Sequence, residues 1–216
     1  MPRCSTVDAG GRSGRPAPTR RRAGTPWKHD GFESHEGEVG VLLADGTELG
    51  PVYFDLGSGG HFHESSDWWA YDGTMRRPTA TTLRGRCSCG WRGRTTYPID
   101  WEKARGDQAD EYDTSGPWAD WEGHMDEVAA RAVSLPENVA GLLGKLRERL
   151  DEIVGDEPLM VLKAAGELEA IVASASPLAA AYVRGDEIPM PRVAEALGMT
   201  EKAARSRLAH YEYLPR

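Results

Sequence analysis

Residues 188–213 read IPMPRVAEALGMTEKAARSRLAHYEY, and the rest of the chain is organised around this stretch. Pro191 fits the first turn of a helix, where its missing N–H is no loss. Val193, Ala194 and Leu197 then fall on one face at helical spacing. Gly198 ends that helix, because glycine adopts the left-handed conformation that a tight turn needs. Thr200 is placed to cap a second helix by accepting from the amides of Lys202 or Ala203. That helix carries Ala203, Ala204 and Leu208 inward and Lys202, Arg205 and Arg207 outward. The small Ala194 permits a close crossing of the two helices.

Two short helices joined by a glycine-containing turn make a helix-turn-helix. The window resembles the helix-turn-helix of sigma-factor region 4 and related bacterial regulators, in which A-x-x-L-G-[MVL]-[ST] leads into a basic helix. The matching residues are Ala194, Leu197, Gly198, Met199 and Thr200, followed by Ala203-Ala204-Arg205-Ser206-Arg207-Leu208. Ala204 stands where such motifs more often carry Val or Ile. The likeness covers about 25 of the 216 residues. It implies a DNA-binding protein, a transcriptional regulator, whose helix from Thr200 to Tyr211 enters the major groove of duplex DNA. By the same resemblance Thr200, Glu201 and Lys202 reach base edges or phosphates. Arg205 contacts base or phosphate, Arg207 meets phosphate further along, and Arg192 touches the backbone. The alternative is a non-enzymatic adaptor with a structural zinc site, whose terminal hairpin packs on a partner protein or on a second copy.

A net charge of −8 argues against a protein that coats nucleic acid through bulk charge. A small basic surface can still dock on phosphates, because only local potential counts within a Debye length. Three cysteines do not make a disulfide framework. With no apolar leader and no run long enough to span a bilayer, the chain reads as cytoplasmic and reduced, with no membrane partner. There is no H-E-x-x-H, G-x-S-x-G or P-loop lysine pattern, so an enzyme is not expected.

The expected fold class is α+β: a small β-rich module, with zinc as its candidate staple, followed by a helical bundle that ends in the helix-turn-helix. Residues 1–30 form a basic tail rich in Arg, Gly, Pro and Ser, without the apolar residues that would offset ordering entropy. Translation starting further downstream would explain it equally. Residues 31–100 form the β-rich module. Val39 to Leu43 and Val52-Tyr53-Phe54 read as two strands about an Asp45-Gly46 hairpin turn. Further strands are expected over 79–86 and 91–97. All seven tryptophans lie at or before Trp121, which separates this aromatic-rich half from the Ala/Leu-rich remainder.

Residues 101–117 read as an acidic, solvated connector pinned at most by Trp101, with Trp118 just beyond it. A helical bundle follows over 118–175. Its clearest stripe is Val139, Leu142, Leu143, Leu146, Leu150 and Ile153, at 3-4 spacing with charges opposite. The stripe spans barely two heptads, too short for an autonomous coiled coil, so packing within the bundle is expected and a homodimer stays open. Residues 176–216 complete the unit, with Pro177 and Gly185 bracketing a short supporting helix over 178–184.

Between the third and fourth expected strands sits Cys87-Ser88-Cys89-Gly90-Trp91. A hairpin tip presenting two thiolates and a glycine resembles a zinc knuckle, although the spacing there is usually C-x2-C. Zn2+ is therefore the candidate cofactor, with Cys87 and Cys89 as the first pair of ligands and His124 as the third. His61 or His63 supplies the fourth. Free thiols and surface histidines are the alternative.

Overall fold

The computed structural model describes residues 25–55, 62–104, 109 and 111–214, with backbone only at 54, 55, 62 and 63. The architecture is α+β: a small antiparallel sheet in the first half, helices after it. In the sheet, β1 (Gly37–Leu42) pairs with β4 (Thr82–Cys87), and β4 pairs with β5 (Tyr97–Pro98). A separate ribbon pairs β2 (Val52–Asp55) with β3 (Phe62–Ser65). The helices are α1 (Trp101–Ala104), α2 (Ser115–Arg131), α3 (Glu137–Ile153), α4 (Pro158–Gly185), α5 (Met190–Leu197) and α6 (Glu201–Glu212). Among the described residues no helix is long and apolar enough to cross a membrane.

Strand β4 alternates strictly, with Leu83, Gly85 and Cys87 buried and Arg84 and Arg86 on the other face. Leu83 joins Val41, Trp68, Tyr71 and Ala80 in one apolar cluster, and Cys87 joins Trp27, Trp121 and Met125 in a second. Helix α2 lies across the second cluster. At Gly85 an added Cβ would stand 2.6 Å from the Pro117 carbonyl oxygen, so the helix approaches only because that residue has no side chain.

The Asp45-Gly46 turn forms, with Gly46 at φ 79° and the Thr47 amide donating to Asp45 Oδ1 at 2.9 Å. It does not create the expected β1–β2 hairpin. The returning chain makes only a short step, Leu43 N–H to the Thr47 carbonyl at 3.0 Å, and a bridge from Leu42 to Glu48. Six residue pairs in register with β4, from Gly37–Cys87 to Leu42–Thr82, bury Val41 against Leu83, which the local hairpin could not do. The arginines of β4 find their acid here as well. Glu48 pairs with Arg84 and, at 2.8 Å, with Arg92, while Glu38 meets Arg86 at 2.9 Å. These upstream carboxylates, rather than the acidic stretch that follows the strands, neutralise the arginine row.

The acidic stretch carries more structure than its charge suggests. Trp101 Nε1 donates to the Ala80 carbonyl at 2.7 Å, and the Tyr112 hydroxyl accepts from the Asp100 amide at 2.8 Å. Both rings pack on Trp68.

Pro177 does not start a separate helix. It lies inside the continuous α4, where it denies the Ala173 carbonyl its usual donor. Two hydroxyls flank that gap, Ser174 Oγ donating to the Ile171 carbonyl and Ser176 Oγ to the Val172 carbonyl at 2.6 Å. After α4 the chain turns into α5. Gly198 closes α5 in the left-handed region at φ 59°, and Thr200 caps α6 by accepting from the Ala203 amide at 3.3 Å. Ala194 and Ala204 are buried between these two helices and their supports.

Candidate metal centre

The Cys87-Ser88-Cys89-Gly90-Trp91 turn ends β4. Gly90 sits at φ 97° with its amide on the Cys87 carbonyl at 2.9 Å, and the Cys87 amide returns to the Trp91 carbonyl at 3.0 Å. This tight reversal brings the sulfurs beside the middle of α2, where His124 projects. Cys89 Sγ lies 3.3 Å from His124 Nε2, and Cys87 Sγ lies 3.6 Å from His35 Nδ1. One ligand atom from each of His35, Cys87, Cys89 and His124 falls within 4.8 Å of all the others. A tetrahedral ion with Zn–S near 2.3 Å and Zn–N near 2.0–2.1 Å sets its nitrogens about 3.5 Å from its sulfurs and its sulfurs about 3.8 Å apart. The cluster therefore has the dimensions of a site that could hold a metal ion.

His35 is the ligand that the sequence does not announce. It precedes β1 and has no neighbouring cysteine or histidine to mark it. Register brings it in: Gly37 pairs with Cys87, so the residues just before β1 run beside the knuckle. Ser88, the residue between the two cysteines, fastens them there. Its hydroxyl accepts from the Glu36 amide at 3.0 Å and donates to the Ser34 carbonyl at 2.8 Å, and its amide donates to the Glu36 carbonyl at 2.8 Å. Cys87, Cys89 and His124 stand together as expected. His61 lies outside the described residues. His63 belongs to the β2–β3 ribbon, opposite Phe54 in register, and its side chain is outside the described residues as well.

The chemistry of the four side chains bears on a cation. His35 is buried, and its Nε2 has no hydrogen-bond partner among the described residues. Its Nδ1 is the nitrogen that faces Cys87, so an ion would be held there, and Nε2 points away from the cluster. The thiols are already unequal. The Cys89 thiol donates to Cys87, and that bond lowers Cys87 well below an ordinary thiol against the opposing effect of burial, with His124 and His35 adding to it. Cys89 is pushed up by the same hydrogen bond and by burial. Two sulfurs sharing a proton beside two imidazoles are a set that a divalent ion can displace protons from.

Of the residues singled out on the terminal helices, Arg192 lines a cleft that His35 and His124 also line, and those on α6 do not. Arg192 on α5 pairs with Glu195 at 2.5 Å, and Arg205 on α6 pairs with Glu201 at 2.7 Å. Lys202, Arg205 and Arg207 are all exposed. The two regions are joined by hydrogen bonds from the Thr200 amide to Ser34 Oγ at 3.0 Å, spanning 166 residues of sequence, and from the Val133 amide to the Ala196 carbonyl at 2.8 Å. No family model, curated protein or solved structure matches the chain.

Proposed function

We propose that the chain is a DNA-binding protein, a transcriptional regulator, whose α5 and α6 form a helix-turn-helix braced by a zinc-stapled module. The observation that carries this reading is the disposition of α6. Ala204 is fully buried against its supports, while Lys202, Arg205 and Arg207 project into solvent. On this reading Thr200, Glu201 and Lys202, at the start of α6, meet base edges or phosphates in the major groove of duplex DNA, and Arg192 reaches the backbone. The acidic partners of Arg192 and Arg205 are no obstacle. Exposed ion pairs contribute about 0–1 kcal/mol, so a phosphate can replace either carboxylate.

The metal is best read as Zn2+. Two thiolates and two imidazoles suit zinc over magnesium or calcium, and four protein ligands close a tetrahedron with no position left for substrate. That makes the site structural. It ties the loop before β1, the β4 turn and α2 into one unit whose own apolar clusters are small.

The test is fluorescence anisotropy of a labelled random duplex with the full chain at two salt concentrations. Binding that weakens as salt rises supports the reading, and Arg205→Ala should flatten the slope by about one phosphate contact. No binding at the lower salt would leave the adaptor as the better description.

A further inference from the structure

Among the described residues, most of the exposed large apolar side chains lie on helices α3 and α4. No residue of α3 is buried, and Ala180 is the one buried residue of α4. On α3, Leu146, Leu150 and Ile153 are half-covered near the turn into α4, while Val139, Leu142 and Leu143 stand open at its far end. The hairpin thus closes at the turn and splays away from it. Ten large apolar residues on these two helices are between 38% and 79% exposed, and eight of them, all but Leu159 and Leu162, lie on α3 or off the Ala180 side of α4. Exposed apolar residues in that number on one helical hairpin go beyond the singly scattered ones of ordinary monomers.

The pattern on α4 says what covers it. Val161, Ala164, Leu168, Ile171, Ala175, Leu178 and Tyr182 follow alternating 3- and 4-residue steps for three heptads. By helical spacing this seam lies on the side away from Ala180, the side that does not carry α6. It contains no charge, so neither an acidic nor a basic partner has anything to pair with. It is, however, complementary to itself. Antiparallel pairing about Ala173 sets Ala164 opposite Tyr182, Ala175 opposite Ile171 and Leu168 opposite Leu178. Small thus faces large at two of these layers, the arrangement that lets knobs enter holes. With 17 and 28 residues, α3 and α4 are about 25 Å and about 42 Å long, so α3 alone is too short to cover the seam.

We infer that the α3–α4 hairpin is a dimerisation element whose occupant is the hairpin of a second copy of this chain, giving a four-helix bundle across a two-fold axis. The inference stands on the apolar surface alone and does not depend on DNA binding.

Sedimentation velocity of the full chain tests it. The expected species has twice the 23.6 kDa chain mass at micromolar concentration. Ile171→Glu and Leu142→Glu, both at positions exposed in the single chain, should each weaken association at least tenfold while far-ultraviolet dichroism keeps its helical signal. A wild-type mass of 23.6 kDa at every concentration overturns the inference, and so does a dimer indifferent to both substitutions. Should a variant lose its helix, the wild-type mass alone decides. A monomer would hand the groove to a different protein.

Discussion

The indole of Trp91 lies flat on the imidazole of His124, ring centroids 4.6 Å apart and planes within 6°. His124 projects from α2, and Trp91 follows the second cysteine by two residues, so one contact fixes the ligand from the helix against the ligands from the turn. A ring held in this plane can point Nε2 at Cys89 before any ion arrives, which lowers the ordering cost of binding.

Trp91→Ala should therefore weaken metal binding although it removes no ligand. Groups that orient ligands from behind are worth about 10–100-fold in affinity, and the lower end suits a stacking contact. Competition with a chromophoric chelator measures it. An unchanged dissociation constant would mean that His124 is positioned by α2 alone.

Glu48 gives a pH signature. Burial raises its carboxyl, but hydrogen bonds and charges from Arg92 and Arg84 outweigh that and leave it below the ordinary glutamate value. A carboxylate lowered in the folded state stabilises fully above its unfolded pKa, and that stability is lost as pH falls through the folded value. The window therefore lies on the acid side of the ordinary value near 4.5. Glu48→Gln should cost about 1 kcal/mol at neutral pH, once solvent screening is allowed for, and should flatten the acid limb of the unfolding curve. Parallel curves for the two proteins through the acid range would show that Arg84 and Arg92 are held by other means.

Much of the C-terminal geometry could be read from local residue types, because caps and turns are local events. Gly198 and Thr200 behave at the α5–α6 corner as their backbone preferences require. Cys87, Cys89 and His124 were legible as donor chemistry. His35 was not, since its place depends on β1 pairing with β4 across 50 residues of chain. The strong Asp45-Gly46 signal pointed to a nearer partner for β1 and so hid the pairing. Pro177 misled in the same direction: its local cost is real, but flanking serine hydroxyls and the continuity of α4 absorb it.

Gly198→Ala should destabilise the fold by about 2–3 kcal/mol. The left-handed backbone alone costs an alanine about 1–2 kcal/mol. An added Cβ would also run into the Phe32 ring, which packs over this turn. Phe32→Ala in the same chain should return only the steric part. Thermal or denaturant unfolding separates the two contributions, and a double variant as unstable as the sum of the singles would show that the ring and the glycine act independently.

The Ser34–Thr200 hydrogen bond predicts that the metal is felt at the start of α6. Ser34 precedes His35 directly and gives its carbonyl to Ser88, so its hydroxyl is aimed at the Thr200 amide by the same loop that delivers the imidazole. If an ion held by Cys87, Cys89, His35 and His124 orders that loop, then chelation should loosen it and expose the Thr200 amide. Hydrogen exchange at the α5–α6 turn should speed up by about fivefold to tenfold on chelation, roughly what loss of one hydrogen bond near 1 kcal/mol allows. Ser34→Ala should raise the exchange rate in the metal-loaded protein and leave chelation with little further effect there. Exchange at Thr200 that ignores both treatments would mean that α6 takes its position from α4 and α5 only, and the metal would then be a staple of the β-sheet half with no bearing on the terminal helices.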